Sequence, residues 1–99
     1  MSTKNATRYV IVRCVNAGVH AGELVKHEGT QVTLANSRRI WYWKGAASLS
    51  ELAVRGAKYP NECKFPGPVE EIILLDACEI ITCTPESQRM IQECPEWKA

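Results

Sequence analysis

No stretch of this chain is apolar enough to enter a bilayer: its longest aliphatic run, Ile72-Ile73-Leu74-Leu75, stops at four residues, where a spanning helix needs about 20. An excess of one charge is also missing. Twelve basic residues stand against eleven acidic ones, for a net charge of +1. A protein that coats nucleic acid non-specifically needs a marked basic excess to release counterions, so general coating of DNA or RNA is not expected. No two of Cys14, Cys63, Cys78, Cys83 and Cys94 have C-x-x-C spacing, which leaves metal knuckles and thioredoxin-like chemistry unsupported. There is no G-x-G-x-x-G, no P-loop and no H-E-x-x-H. His20 and His27 are the only histidines, and no motif pairs either with a nucleophile. The carboxylates of Glu70-Glu71 would point to opposite faces of a strand and could not act on one bond. The expectation is a binding protein without catalytic residues, metal or cofactor, and not an enzyme.

What is present suits one small domain. Ninety-nine residues leave no room for a second domain, and 45% apolar residues are too many for a disordered chain. A chain this short buries only about 60–65% of the surface its unfolded form exposes, so a homo-oligomer is expected. Residues 1–7 are polar with no apolar run behind them, which reads as a flexible N-terminus rather than a signal peptide. With no signal peptide and no spanning run expected, the expected location is the cytoplasm, where the five cysteines would be free thiols, several of them buried as small hydrophobes.

The pattern along the chain is that of an α+β fold: a small antiparallel β-sheet, laid out as a meander that could curl into a barrel, with two short helices. Arg8–Val15, Val19–Lys26 and Gln31–Ala35 read as three sequential strands joined by Asn16-Ala17-Gly18 and His27-Glu28-Gly29-Thr30. Gly22 marks a bulge or a close backbone approach. Arg38–Lys44 reads as a fourth strand, with Arg39, Trp41 and Trp43 on one face and Arg38, Ile40, Tyr42 and Lys44 on the other. Ser48-Leu49-Ser50-Glu51 is a capping box that opens a short helix burying Leu49, Leu52 and Ala53, with Gly56 at its end. Ala57–Pro68 is a long loop held by Tyr59 and Phe65 folding into the core. Val69–Thr82 is two short strands or one bent strand buried on both faces, with a bend at Asp76-Ala77. Thr84-Pro85 starts a second helix that runs to Glu93 and is stopped by Pro95, and Trp97 is expected to pack back onto the body.

Recognition chemistry is concentrated between Asn36 and Ser48. Arg38 and Arg39 have the planar fork that suits phosphate or carboxylate. Trp41 and Trp43 offer flat faces for a base. Lys44 adds a cation. Gly45, Ala46, Ala47 and Ser48 lead into a helix whose free N–H groups could receive an anion. Together with Asn36, these residues would suit a flat ring bearing phosphates, that is, a small nucleotide-type ligand. The plainer reading stands beside it. Trp-Tyr-Trp in a strand is often core, Arg-Arg before it is often solvated rim, and Ser48 is foremost a cap. As a third reading, Trp41 or Trp43 could anchor a protein interface, since Trp, Tyr and Arg dominate such hot spots. A sequence-specific nucleic-acid contact through the same side chains is a further alternative.

The stretch Asn36-Ser37-Arg38-Arg39-Ile40-Trp41-Tyr42-Trp43-Lys44-Gly45-Ala46-Ala47-Ser48-Leu49 resembles one found in a family of short proteins encoded by tailed phages and prophages. The likeness extends over most of the length, through Ala17-Gly18-Val19, Cys63-Lys64-Phe65-Pro66 and Glu71-Ile72-Ile73-Leu74. It implies an origin as a phage accessory protein acting in the host cytoplasm, and transfers no catalytic residue. Such an origin would fit a protein that sequesters a nucleotide signal used in host defence, or one that binds a host protein or joins a virion assembly.

Overall fold

The computed structural model describes residues 8–98; the flexible N-terminus expected over residues 1–7 lies outside the described residues. Three strands form the expected meander: β1 (Tyr9–Cys14), β2 (Val19–Glu28) and β3 (Gln31–Arg39). Helix α1 (Leu49–Arg55) follows, then a single 3-10 turn (Pro60–Glu62), β4 (Val69–Leu74), β5 (Ala77–Thr82) and α2 (Pro85–Glu93). The fold is α+β, with one five-stranded sheet, antiparallel throughout.

The order across the sheet is β4-β3-β2-β1-β5. Consecutive strands β4 and β5 thus lie on opposite edges, yet only Leu75 and Asp76 join them. A flat sheet would hold those edges ~19 Å apart at the usual strand spacing, while the three Cα–Cα steps from Leu74 to Ala77 reach ~11 Å at most. The sheet therefore curls until its edges meet at this corner. Three hydrogen bonds pin the corner: Val15 N to Asp76 O (3.0 Å), Ala77 N to Thr30 O (3.0 Å) and Thr30 Oγ1 to Leu75 O (3.2 Å). No ladder joins β4 to β5, so the curl is barrel-like without hydrogen-bonded closure.

Curling gives β1 two buried faces. Val10 and Val12 join Val32, Leu34 and Leu74 inside the curl, while Tyr9 and Ile11 meet Leu52, Phe65 and Ile91 under the helices. Each fully buried aliphatic side chain contributes roughly 1.5–3 kcal/mol, and this explains the unbroken apolar run in β1. Gly22 is required where expected: the β2–β3 register shifts beside it, and a Cβ there would stand 2.9 Å from Ala35 O.

Both helices start as the capping signals predict. Ser48 Oγ accepts from Glu51 N at 3.2 Å, and Thr84 Oγ1 accepts from Ser87 N at 3.1 Å. The start of α2 is also tied to the end of α1, with Thr84 N to Ala53 O (2.9 Å), Thr84 Oγ1 to Val54 O (2.6 Å) and Ser87 Oγ to Leu52 O (2.7 Å).

Three expectations are corrected. Arg38–Lys44 is not a fourth strand; Arg38 and Arg39 end β3, which runs nine residues because Asn36 (φ 50°) absorbs an irregularity without turning the chain. Beyond Arg39 only Tyr42 forms a bridge, to Lys64. Val69–Thr82 is two strands, but not buried on both faces: the edge strand β4 leaves Val69 and Ile73 exposed, and Leu75 is exposed in the corner that joins β4 to β5. Phe65 enters the core, whereas Tyr59 stays exposed.

Candidate functional site

Arg38 and Arg39 part company at the end of β3. Arg38 turns inward beneath α2 and is only 4% exposed. Its Nε donates to Pro66 O (2.9 Å), Nη1 to Ile91 O (2.8 Å) and Cys94 O (2.7 Å), and Nη2 to Phe65 O. A guanidinium is well suited to the free carbonyls at a helix C-terminus, and here it nails the end of α2 and the Phe65-Pro66 loop to the sheet. Arg38 is thus a structural brace, and its expected role as a phosphate arm is corrected.

Arg39 takes the other face of β3 and is exposed. Its Nη1 donates to Ala17 O at 3.0 Å, and among the described residues it has no ion-pair partner. His20 lies opposite in the register and sends Nε2 to the same carbonyl at 2.8 Å. Burial holds the His20 pKa below its ordinary value, the nearby Arg39 charge adding to this against the upward pull of the Ala17 carbonyl. Ser37, two residues before Arg39, is buried, and its Oγ has no hydrogen-bond partner. Leaving such a hydroxyl unpaired costs about 1–3 kcal/mol. His20, Ser37 and Arg39 share the wall of one cavity of about 170 Å³. Sequence reasoning missed Ser37 and His20 as members of a site; only the bulge and the cross-strand register bring them to Arg39.

The remaining residues of the segment disperse. Asn36 and Arg38 line a concavity of about 450 Å³ with Tyr9, Glu23, Gln92 and Glu96. Burial pushes the Tyr9 phenol well above its usual pKa, and its hydroxyl has no partner. Trp43 packs against the core under the helices and gives its indole N–H to Ala46 O (3.2 Å). Lys44 pairs with Glu62 at 2.9 Å. Gly45 (φ 101°) is demanded by the chain itself: a Cβ would meet the backbone of Lys58, whose N–H donates to Gly45 O at 3.1 Å. The expected anion cradle before α1 is already filled. Glu51 Oε1 accepts from Ala47 N at 2.6 Å while Ser48 Oγ serves Glu51 N. Asn36, Arg38, Arg39, Trp41, Trp43, Lys44 and Gly45–Ser48 are therefore not gathered into one pocket.

Trp41 and Tyr42 do reach solvent, at 63% and 46% exposure. Both backbone N–H groups donate to Lys64 O (3.1 and 3.3 Å), and Lys64 N returns a bond to Tyr42 O at 2.7 Å. Phe65 in turn bridges Glu96, and Trp97 N donates to Phe65 O at 3.0 Å. Three chain segments, distant in sequence, thus run side by side. Their side chains form a ridge: Lys64 Nζ lies 5.8 Å from the Tyr42 ring centre and 5.6 Å from that of Trp97. Both contacts are within cation–π range. Lys64 and Trp97 as partners of Tyr42 had no local signal in the sequence.

Among the described residues no cluster of His, Cys, Asp and Glu is arranged to hold a metal ion, and no helix is long and apolar enough to cross a membrane. A family described as a domain of unknown function, DUF6948, matches residues 7–91. No curated protein and no solved structure matches the chain.

Proposed function

We propose that this chain, which belongs to the DUF6948 family, is a non-catalytic recognition module that holds a protein partner on the ridge of Tyr42, Lys64 and Trp97, with the exposed Trp41 next to Tyr42 in the chain. The observation that carries this reading is the exposure of Trp41 and Tyr42 on a backbone hydrogen-bonded to Lys64. Trp and Tyr dominate interface hot spots because they bury large area at low entropic cost. A ridge ordered before binding spares the partner complex further ordering cost. The charges beside the ridge favour protein over nucleic acid, since Lys44 and Lys98 are paired with Glu62 and Glu96. The likeness to phage proteins makes a protein of the infected cell the class of partner to seek first. A second copy of this chain is the other partner the ridge could serve.

The test compares wild-type protein with a Trp41→Ala/Tyr42→Ala double variant as bait in the cells that make it, with sedimentation to read self-association. Enrichment of one protein, or a dimer, by wild type alone, at unchanged melting temperature, is the expected result. Identical captures and identical mass with both baits would remove the ridge from recognition. Binding of single-stranded oligonucleotides that weakens steeply with salt would reassign it to nucleic acid.

A further inference from the structure

We propose a second binding site, separate from the ridge, in which Arg39 and Ser37 receive the head of a small aliphatic carboxylate whose tail lies along Ile72–Leu75. Two adjoining concavities meet at Arg39. The cavity of about 170 Å³ is walled by His20, Ser37, Arg39, Gly67, Val69 and Ile72. The neighbouring groove of about 430 Å³ is lined by Ala17, Arg39 and the run Ile72–Asp76. Arg39 and Ile72 belong to both.

The head position follows from unmet polar groups. Ser37 Oγ is buried and bonds to nothing, a state that native interiors rarely leave unexplained. Ser37 lines the cavity beside a cation, and rotation of its hydroxyl toward the cavity would let it donate to an incoming oxyanion. Arg39 spends Nη1 on Ala17 O and has no acidic partner among the described residues. Its other N–H groups provide the planar fork that matches a carboxylate. Gly18 backs the guanidinium, since a Cβ there would stand 3.3 Å from Nη1. His20 and Arg39 share the Ala17 carbonyl, so the cross-strand pair is already positioned before any ligand arrives.

The charge and the tail narrow the class. Asp76 lines the same groove, with Oδ2 held by Asn16 N at 2.7 Å. One cation and one anion in a single groove favour a singly charged head. They disfavour a phosphate monoester, which carries about 1.5–2 negative charges at neutral pH. The groove beyond Arg39 is apolar, and its aliphatic wall includes Ile73 and Leu75, both more than half exposed at 51% and 69%. Ile72 to Leu75 extends ~10 Å at the rise of a strand, a length suited to a medium-chain tail. Covering these side chains supplies the apolar part of the affinity.

The experiment titrates decanoate, below its micelle-forming concentration, into the full chain and follows backbone amide shifts by NMR together with thermal melting. Saturable shifts centred on Ser37, Arg39 and Ile72–Leu75, with a rise in melting temperature, are expected. Arg39→Gln should weaken binding about tenfold or more, and Arg39→Lys less, because it keeps the charge but loses the fork. Ser37→Ala should weaken binding while leaving the melting temperature of the ligand-free protein unchanged or higher, because it deletes an unpaired hydroxyl. Decylamine, with the same tail and the opposite charge, should not move these amides. Absence of shifts there, equal binding by Arg39→Gln, equal binding of decylamine, or tighter binding of decyl phosphate would each overturn the assignment.

Discussion

Arg38 and Arg39 are neighbours of the same type whose fates diverge because a strand sends successive side chains to opposite faces. Arg38 donates to four backbone carbonyls, the bonds to Phe65, Ile91 and Cys94 buried and that to Pro66 part-buried. Arg38→Met should cost at least about 3 kcal/mol by urea unfolding, because the buried Ile91 and Cys94 carbonyls lose Arg38 as donor, while Phe65 O keeps Trp97 N. Arg39→Gln should stay within about 0.5–1 kcal/mol, as an exposed side chain with one carbonyl contact. His20 belongs to the same scale. Its unfolded ring takes up a proton near its ordinary pKa of 6.5, while the buried ring resists until lower pH. The unfolded state therefore binds more protons just below that value. The contribution is fully present above about pH 6.5 and is lost as the pH falls toward the lowered folded pKa. Urea midpoints at about pH 7.5 and about pH 5.5 should differ more for wild type than for His20→Asn, whatever that variant costs at the higher pH.

The two helices show how local signals and tertiary ties add at the level of elements. Ser48 caps α1 with its hydroxyl, and Ser48→Ala should cost about 1 kcal/mol. Thr84 caps α2 and also gives its hydroxyl proton to Val54 O. Thr84→Ala should accordingly lose more, about 1–2 kcal/mol, and chemical denaturation of the two variants would rank them. These helices were legible because capping boxes and N1 prolines act within four residues. The strand ending at Arg39 was not. Asn36 and Ser37 resemble turn residues, and nothing local reveals that Asn36 adopts a left-handed conformation that lets β3 continue through Ser37 and Arg38. Edge position likewise has no sequence signature, so Val69 and Ile73 read as core although they lie exposed on the edge strand β4.

At the scale of the whole molecule, a curled sheet with helices on one side buries cysteines without cross-linking them. All five are free: Cys14, Cys63 and Cys94 buried, Cys83 half-buried and Cys78 exposed. Burial pushes the Cys14 thiol up to about 11, and also raises Cys83 and Cys94. Since the thiolate is the reactive form, a disulfide reagent should label Cys78 rapidly in the native protein and the others mainly after unfolding. Mass mapping of the labelled peptides checks this; early labelling of Cys63 or Cys94 would contradict the packing.

Composition and periodicity alone determined the α+β class, the opening meander, both helices with their caps, and the concentration of aromatic and cationic residues between Asn36 and Ser48. These properties are written in spacings of a few residues, where backbone geometry translates pattern directly into form. The tertiary structure alone decided which of those residues are free. It spent Arg38 on four carbonyls and Ala47 N on Glu51. It placed Lys64 and Trp97 beside Tyr42, and it set His20 and Ser37 in one wall with Arg39. The reason is that a polar side chain is available to a ligand only if no other part of the same chain satisfies it first, and those competitors lie up to 56 residues away in sequence.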